Sequence, residues 1–173
     1  MKKLIFIVLV VIVVGMGGAL ALNHFQLQSP MNSVLKSDPR NDGIDVSVHY
    51  GNFIDPSTVV YDLRNVSGSN TPADVFRVLL QYAERIKGRQ FDNIELAYKG
   101  TVKFKIEGNY FQTLGEEYGT QNVVYTVRTF PEHLKTPTGA QAYSEWTGGW
   151  LGVMNKQMED FNDFNKRWYL SDQ

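Results

Sequence analysis

The string TPADVFRVLLQYAERIKG, residues 71–88, sets the architecture. Thr71 offers a hydroxyl to cap a helix, Pro72 takes the first helical position where a missing N–H costs nothing, and Asp74 stands where a capping box needs its acid. Val75, Leu79, Tyr82, Ala83 and Ile86 recur at helical spacing, with Arg77, Gln81, Glu84 and Arg85 on the other face and Gly88 to end the run. Such a helix must bury its apolar face on a partner, and the neighbouring segments supply one.

Upstream, Ile44, Val46 and Val48 alternate with Asp45, Ser47 and His49, the period of a half-buried strand. A second strand follows Pro56, over Thr58–Leu63, where a nearly continuous apolar run suits an interior position. Downstream, Ile94, Leu96 and Tyr98 and then Val102, Phe104 and Ile106 alternate with polar residues. Keeping these two apolar sets on one face requires a loop of odd length, so the pattern predicts a hairpin through Lys99-Gly100-Thr101 with Glu95 opposite Lys105. Asn109–Tyr118 reads as a short helix capped by Asn109 and stopping at Gly119. Asn122–Phe130 admits two readings, since Asn122 could cap a helix ending before Pro131. The β-branched content predicts a strand. A long helix closes the chain from about Gly149 to Tyr169, with Trp150, Met154, Met158, Phe161, Phe164 and Trp168 along one stripe. This order predicts an α+β domain over 44–173, with a mostly antiparallel sheet and helices packed on one face.

The N-terminal region is of a different kind. After Lys2 and Lys3, the nineteen residues Leu4–Leu22 carry no charge. A helix of that length measures about 28 Å, close to the hydrocarbon thickness of a bilayer. Residues 1–23 are therefore expected to be one transmembrane helix, with the membrane met through residues 4–22. Ala19-Leu20-Ala21 keeps a cleaved signal peptide open as the alternative. Lysines ahead of the span orient the domain to the extracytoplasmic side, periplasmic in a cell with two membranes. Residues 24–43, ending in the turn-rich Asp38-Pro39-Arg40-Asn41-Asp42-Gly43, read as a linker, helical in part around Met31–Leu35.

Composition excludes several classes of function. Beyond residue 23 there are fifteen basic and eighteen acidic side chains and no basic run, so no nucleic-acid footprint exists. With no cysteine there can be no disulfide, thiolate metal site or thiol nucleophile. His24, His49 and His133 stand in no ligand spacing, so neither metal nor cofactor is expected. Gly68-Ser69-Asn70 is only a fragment of a nucleophile elbow. Asp62 and Arg64 share a strand face, and Arg77 begins the helix that should cross that sheet. If the three met, Asp62 could serve as a catalytic general base, and otherwise it forms a buried charge pair. Trp146 and Trp150 flank Thr147-Gly148-Gly149, a string that suits either a mobile aromatic lip or a loop folding back on the core. Arg64, Arg77, Trp146 and Trp150 are thus the candidate binding residues. The expected function is a membrane-anchored binding or accessory domain of the cell envelope that meets another envelope protein. An envelope hydrolase using carboxylates, with Asp62 as first candidate, is the alternative.

Overall fold

A computed structural model describes residues 2–172, leaving aside the side chains of residues 2, 4, 8, 9, 12 and 13. The elements are α1 (Lys2–Asn23), a π-helical turn (His24–Gln28), α2 (Ser29–Ser37), β1 (Ile44–Gly51), β2 (Asp55–Val66), α3 (Pro72–Ile86), β3 (Asn93–Tyr98), β4 (Thr101–Glu107), α4 (Gly108–Glu117), α5 (Val123–Thr129), β5 (Leu134–Lys135) and α6 (Trp150–Trp168). The five strands form one sheet in the order β1-β2-β3-β4-β5. Only the β2–β3 pair is parallel, because α3 carries the chain back across the sheet between them. The domain is α+β with a mixed sheet.

The capping box of α3 is complete. The Asp74 N–H donates to the Thr71 hydroxyl at 3.3 Å, and the Thr71 N–H donates to the Asp74 carboxylate at 2.8 Å. All five apolar positions that define its inner face are buried. They meet Val46 and Val48, Tyr61 and Leu63, Ile94 and Leu96, and Phe104 and Ile106, all on the same face of the sheet. The other face is polar, with Asp45 and Arg64 exposed and Ser47, Glu95 and Lys105 half-buried.

The β3–β4 hairpin solves its parity differently from the expected three-residue loop. Its turn is the two residues Lys99-Gly100, with φ of 48° and 84°, the backbone that matches strand twist. A register shift between Leu96 and Ala97 leaves Lys103 as an extra residue and restores Phe104 and Ile106 to the inner face. Glu95 does lie opposite Lys105, with 3.1 Å between their charged atoms.

Two further expectations are corrected. Asn122–Phe130 is not a strand: its side chain caps a helix by accepting from the Val124 N–H at 2.9 Å, and Val123–Thr129 is α5. Sheet propensity is realised only where a strand has a neighbour to pair with, and β4 pairs instead with the short β5. Asn109 does not cap α4 either, since the helix already begins at Gly108.

Residues 24–43 are not a tether. Helix continues from Asn23 through the π-turn into α2, and Leu27, Met31 and Val34 are buried in the domain core. The reason lies in β1, an edge strand whose outward backbone groups need partners. Asn23 Oδ1 accepts from the Tyr50 N–H at 2.6 Å, Gln28 Oε1 accepts from the Val48 N–H at 2.7 Å, and Gln28 Nε2 donates to the Val46 carbonyl at 3.2 Å. Two side-chain amides thus stand where a further strand would be. Beside them, the Gln26 side-chain oxygen accepts from the Tyr50 hydroxyl and from Arg89.

As for the first element, a helix of 22 residues covers Lys2–Asn23. Among the described residues, however, no helix is long and apolar enough to cross a membrane, so the expected transmembrane helix is not supported.

Candidate functional site

A cleft of 460 Å³ lies among α3, α4 and α5. Its walls are Phe76 and Leu80 of α3, Leu114 of α4, and Val123 and Val127 of α5, with Glu117, Arg40 and Arg77 among its polar lining. Phe76 is held by edge-on contacts to Phe130 and Phe161, with ring centroids 4.8 and 5.1 Å away, so this wall is part of the rigid core. The third wall is of another kind. Its Val123 is more than half exposed, as are Val124 and Tyr125, which lie on the same seven-residue helix outside the cleft lining.

Arg77 lies at the polar edge. It donates to Asp74 Oδ1 at 2.6 Å, to the Arg40 carbonyl at 2.9 Å and to Asn41 Oδ1 at 3.2 Å, while its Nε finds no hydrogen-bond partner among the described residues. Asn41 also donates to Gln81 Oε1 and to the Val34 carbonyl, so Arg77 and Asn41 together bind α3 to the end of α2.

The Asp74 pKa is lowered to about 2, first by the hydrogen bonds from Thr71 and then by Arg77. Asp38 is held well below the usual carboxylate range by hydrogen bonds from Arg40. Both folded values lie below the unfolded value of 3.8, so their contribution is complete above that value and is lost as pH falls toward the folded pKa. The part of the thermal midpoint owed to these two carboxylates should therefore be level from neutrality to about pH 5 and drop below about pH 4, while His133, its pKa lowered by burial, separately costs stability as pH falls through 6.5. Asp74→Asn should lower the neutral midpoint and flatten part of the acid drop. An unaltered acid limb in that variant would remove Asp74 as a cause.

The other sequence candidates lie elsewhere. Asp62 and Arg64 are on the polar face of the sheet, whereas α3 packs on the inner face, so Arg77 does not join them. Asp62 accepts from Arg64 at 2.6 Å with one carboxylate oxygen and from the Gly100 N–H at 3.0 Å with the other. It is buried and pins the β3–β4 turn, with both oxygens engaged. Trp146 donates through Nε1 to Asp160 at 2.6 Å and has Lys156 5.9 Å from its ring. Trp150 opens α6 with two-thirds of its surface exposed, so it does not fold back on the core, and neither tryptophan lines the cleft. Among the described residues, no three His, Asp or Glu side chains gather as a metal would need.

The chain matches no family model, no curated protein and no solved structure. Its chemistry must be read from its own geometry. Sequence reasoning found Arg77 but missed the cleft, because α5 reads as a strand and no local pattern brings Leu114 or Val127 to Phe76. The one available signal was Val123-Val124-Tyr125 beside a capping Asn122, an apolar triplet that a surface helix does not need.

Proposed function

We propose that this protein is a membrane-anchored, extracytoplasmic binding domain of the cell envelope, whose α3–α4–α5 cleft receives an apolar segment of another envelope protein. The observation that carries the binding reading is an apolar cleft wall of Phe76, Leu80, Leu114 and Val127 that runs out to the more-than-half-exposed Val123. A concave apolar site opening onto an apolar rim favours a ligand that inserts one side chain and lies along the surface. The engagement of both Asp62 oxygens gives the hydrolase reading no free general base at that position.

The anchor is supported by the uncharged stretch Leu4–Leu22 and by the outward side chains of Ile5, Phe6, Val11, Val14, Met16 and Leu20, each more than half exposed along α1. An apolar helix in that state needs lipid or a partner around it. Two lysines ahead of the stretch and none until Lys36 support the outward orientation of the domain.

A photoreactive residue at Val124, in the full-length protein in its own membrane, tests the reading. A discrete cross-linked protein is expected, lost when Val127→Arg fills the cleft with charge and retained when Arg64→Ala alters the far face of the sheet. Cross-linking indifferent to Val127→Arg would refute the cleft as the site. Release of the protein by alkaline carbonate would separately refute the anchor.

A further inference from the structure

We propose that the β1–β2 turn is a second membrane contact: Phe53 and Ile54 dip into the headgroup boundary of the leaflet that α1 leaves, so the domain stands on the bilayer in one orientation. The proposal rests on the anchor reading of α1 and adds to it a surface on the folded domain.

Four observations lead to it. First, the turn lies beside the stretch of α1 that would be within the bilayer. A cavity of 410 Å³ separates Phe53, Ile54 and Pro56 from Gly15, Gly18 and Leu22. Gly18 is five residues before the end of α1, or roughly 7 Å along the axis, so the turn shares the depth of the last turns of the apolar stretch. The bare faces of Gly15 and Gly18 leave that cavity open, since a Cβ at either would meet nothing within 4 Å.

Second, the coupling between helix and turn is rigid. Asn23 Nδ2 donates to the Phe53 carbonyl at 2.7 Å and to the Ala19 carbonyl at 2.7 Å, and its Oδ1 accepts from Tyr50. Helix passes from Asn23 through the π-turn into the core without a break, so where α1 goes the turn goes. A flexible tether would have left the depth of the turn undetermined.

Third, the side chains are those of an interface. Ile54 is 75% exposed, Phe25 on the π-turn 72% and Phe53 48%, and they contribute correspondingly little to the core. Phe53 also holds φ at 64°, a left-handed backbone that bulky residues rarely adopt and that Gly or Asn would accept without strain. One side of its ring stacks on His49, with centroids 4.2 Å apart, but that contact leaves about half of the side chain open and does nothing for Ile54 or Phe25. A neighbouring lipid surface would cover all three.

Fourth, the backbone of Phe53 and the N–H of Ile54 are already paired. The Phe53 N–H donates to the Tyr50 carbonyl at 2.9 Å, the Ile54 N–H donates to the Gly51 carbonyl at 3.0 Å, and Asn23 satisfies the Phe53 carbonyl. Backbone groups already paired can enter a lipid interface without the penalty that bars open loops. Asn52 at the apex and Asp55 just behind set the limit, since neither belongs in hydrocarbon, and they hold the contact at headgroup level.

The absence of cysteine makes the test direct, because any cysteine introduced is the only one. Ile54→Cys, Val11→Cys and Ser69→Cys are each labelled with a small fluorophore in the full-length protein, in vesicles of phosphatidylethanolamine and phosphatidylglycerol. Phospholipid nitroxides at the headgroup or at mid-chain then quench it. Ser69 is exposed at the opposite end of the β1–β2 strand pair, roughly 25 Å from the turn. Expected is several-fold stronger quenching at Ile54 than at Ser69 by the headgroup nitroxide, with Val11 quenched most by the mid-chain one. Equal, weak quenching at Ile54 and Ser69 with Val11 still quenched would overturn the second contact and leave the anchor standing. No quenching at Val11 would overturn the anchor and the proposal with it. Unfolding curves that coincide with the parent's show that each labelled protein is folded.

Discussion

Trp168→Ala is expected to destabilise the domain by about 3–5 kcal/mol, a fall of roughly 10 °C in the unfolding midpoint. Trp168 is fully buried near the end of α6. Its ring stacks on Phe164 at 5.3 Å, meets Tyr169 edge-on at 5.7 Å and reaches Tyr61 of β2 at 6.1 Å. Its indole N–H donates at 3.0 Å to the carbonyl of Ala97, the residue at which the β3–β4 register shifts. Truncation therefore opens a large cavity between helix and sheet and removes the partner of a buried carbonyl. Tyr61→Phe provides the contrast. That side chain is equally buried, but its hydroxyl has no hydrogen-bond partner among the described residues, so its loss should be neutral or slightly stabilising. Thermal unfolding followed by circular dichroism measures both. A Trp168→Ala midpoint within a degree or two of the parent would mean that α6 does not dock on the sheet as described.

Gly115→Ala should also destabilise, by about 1–3 kcal/mol, against the direction that helix propensity sets. In an open helix the substitution gains up to about 1 kcal/mol. At Gly115 of α4 the new Cβ would lie 2.3 Å from the Ala83 carbonyl oxygen and 2.6 Å from its carbon. Both atoms belong to the backbone of α3 and cannot swing aside, so the two helices must separate. That separation would loosen the same α3–α4 contact that forms one corner of the cleft, where Leu80 faces Leu114. Gly152→Ala in α6 is the control, since nothing lies within 4 Å of its added Cβ, and it should be neutral or stabilising. Opposite signs at the two sites, read from urea unfolding midpoints, are the expected result. Equal stabilisation at both would disprove the close approach of α3 and α4.

Much of the site was hidden for one physical reason: a side-chain pattern records which face a residue occupies and not what faces it. The capping box of α3 and the Glu95–Lys105 pair are local and could be read directly. Arg77 could be assigned to the polar face of α3, but its pairing with Asn41 depends on α2 coming to lie beside that face. Asp62 and Arg64 could be placed together on one strand face, two residues apart, and that face proved to be the one α3 does not cover.

Local chemistry thus determined the elements whose signals are stronger than their surroundings: the capped α3, the alternating strands, the aromatic α6, and an α+β domain in which they alternate. Tertiary structure decided the rest, wherever local preference was weak or divided. It made Asn122–Phe130 a helix, since the strand reading had no partner strand. It moved the parity change of the hairpin from the turn to Lys103, because a two-residue turn matches strand twist. It also drew residues 24–43 out of a supposed tether and onto the domain, because the free edge of β1 has backbone groups that Asn23 and Gln28 can satisfy, and no pattern within those residues reports the need of an edge they meet only after folding.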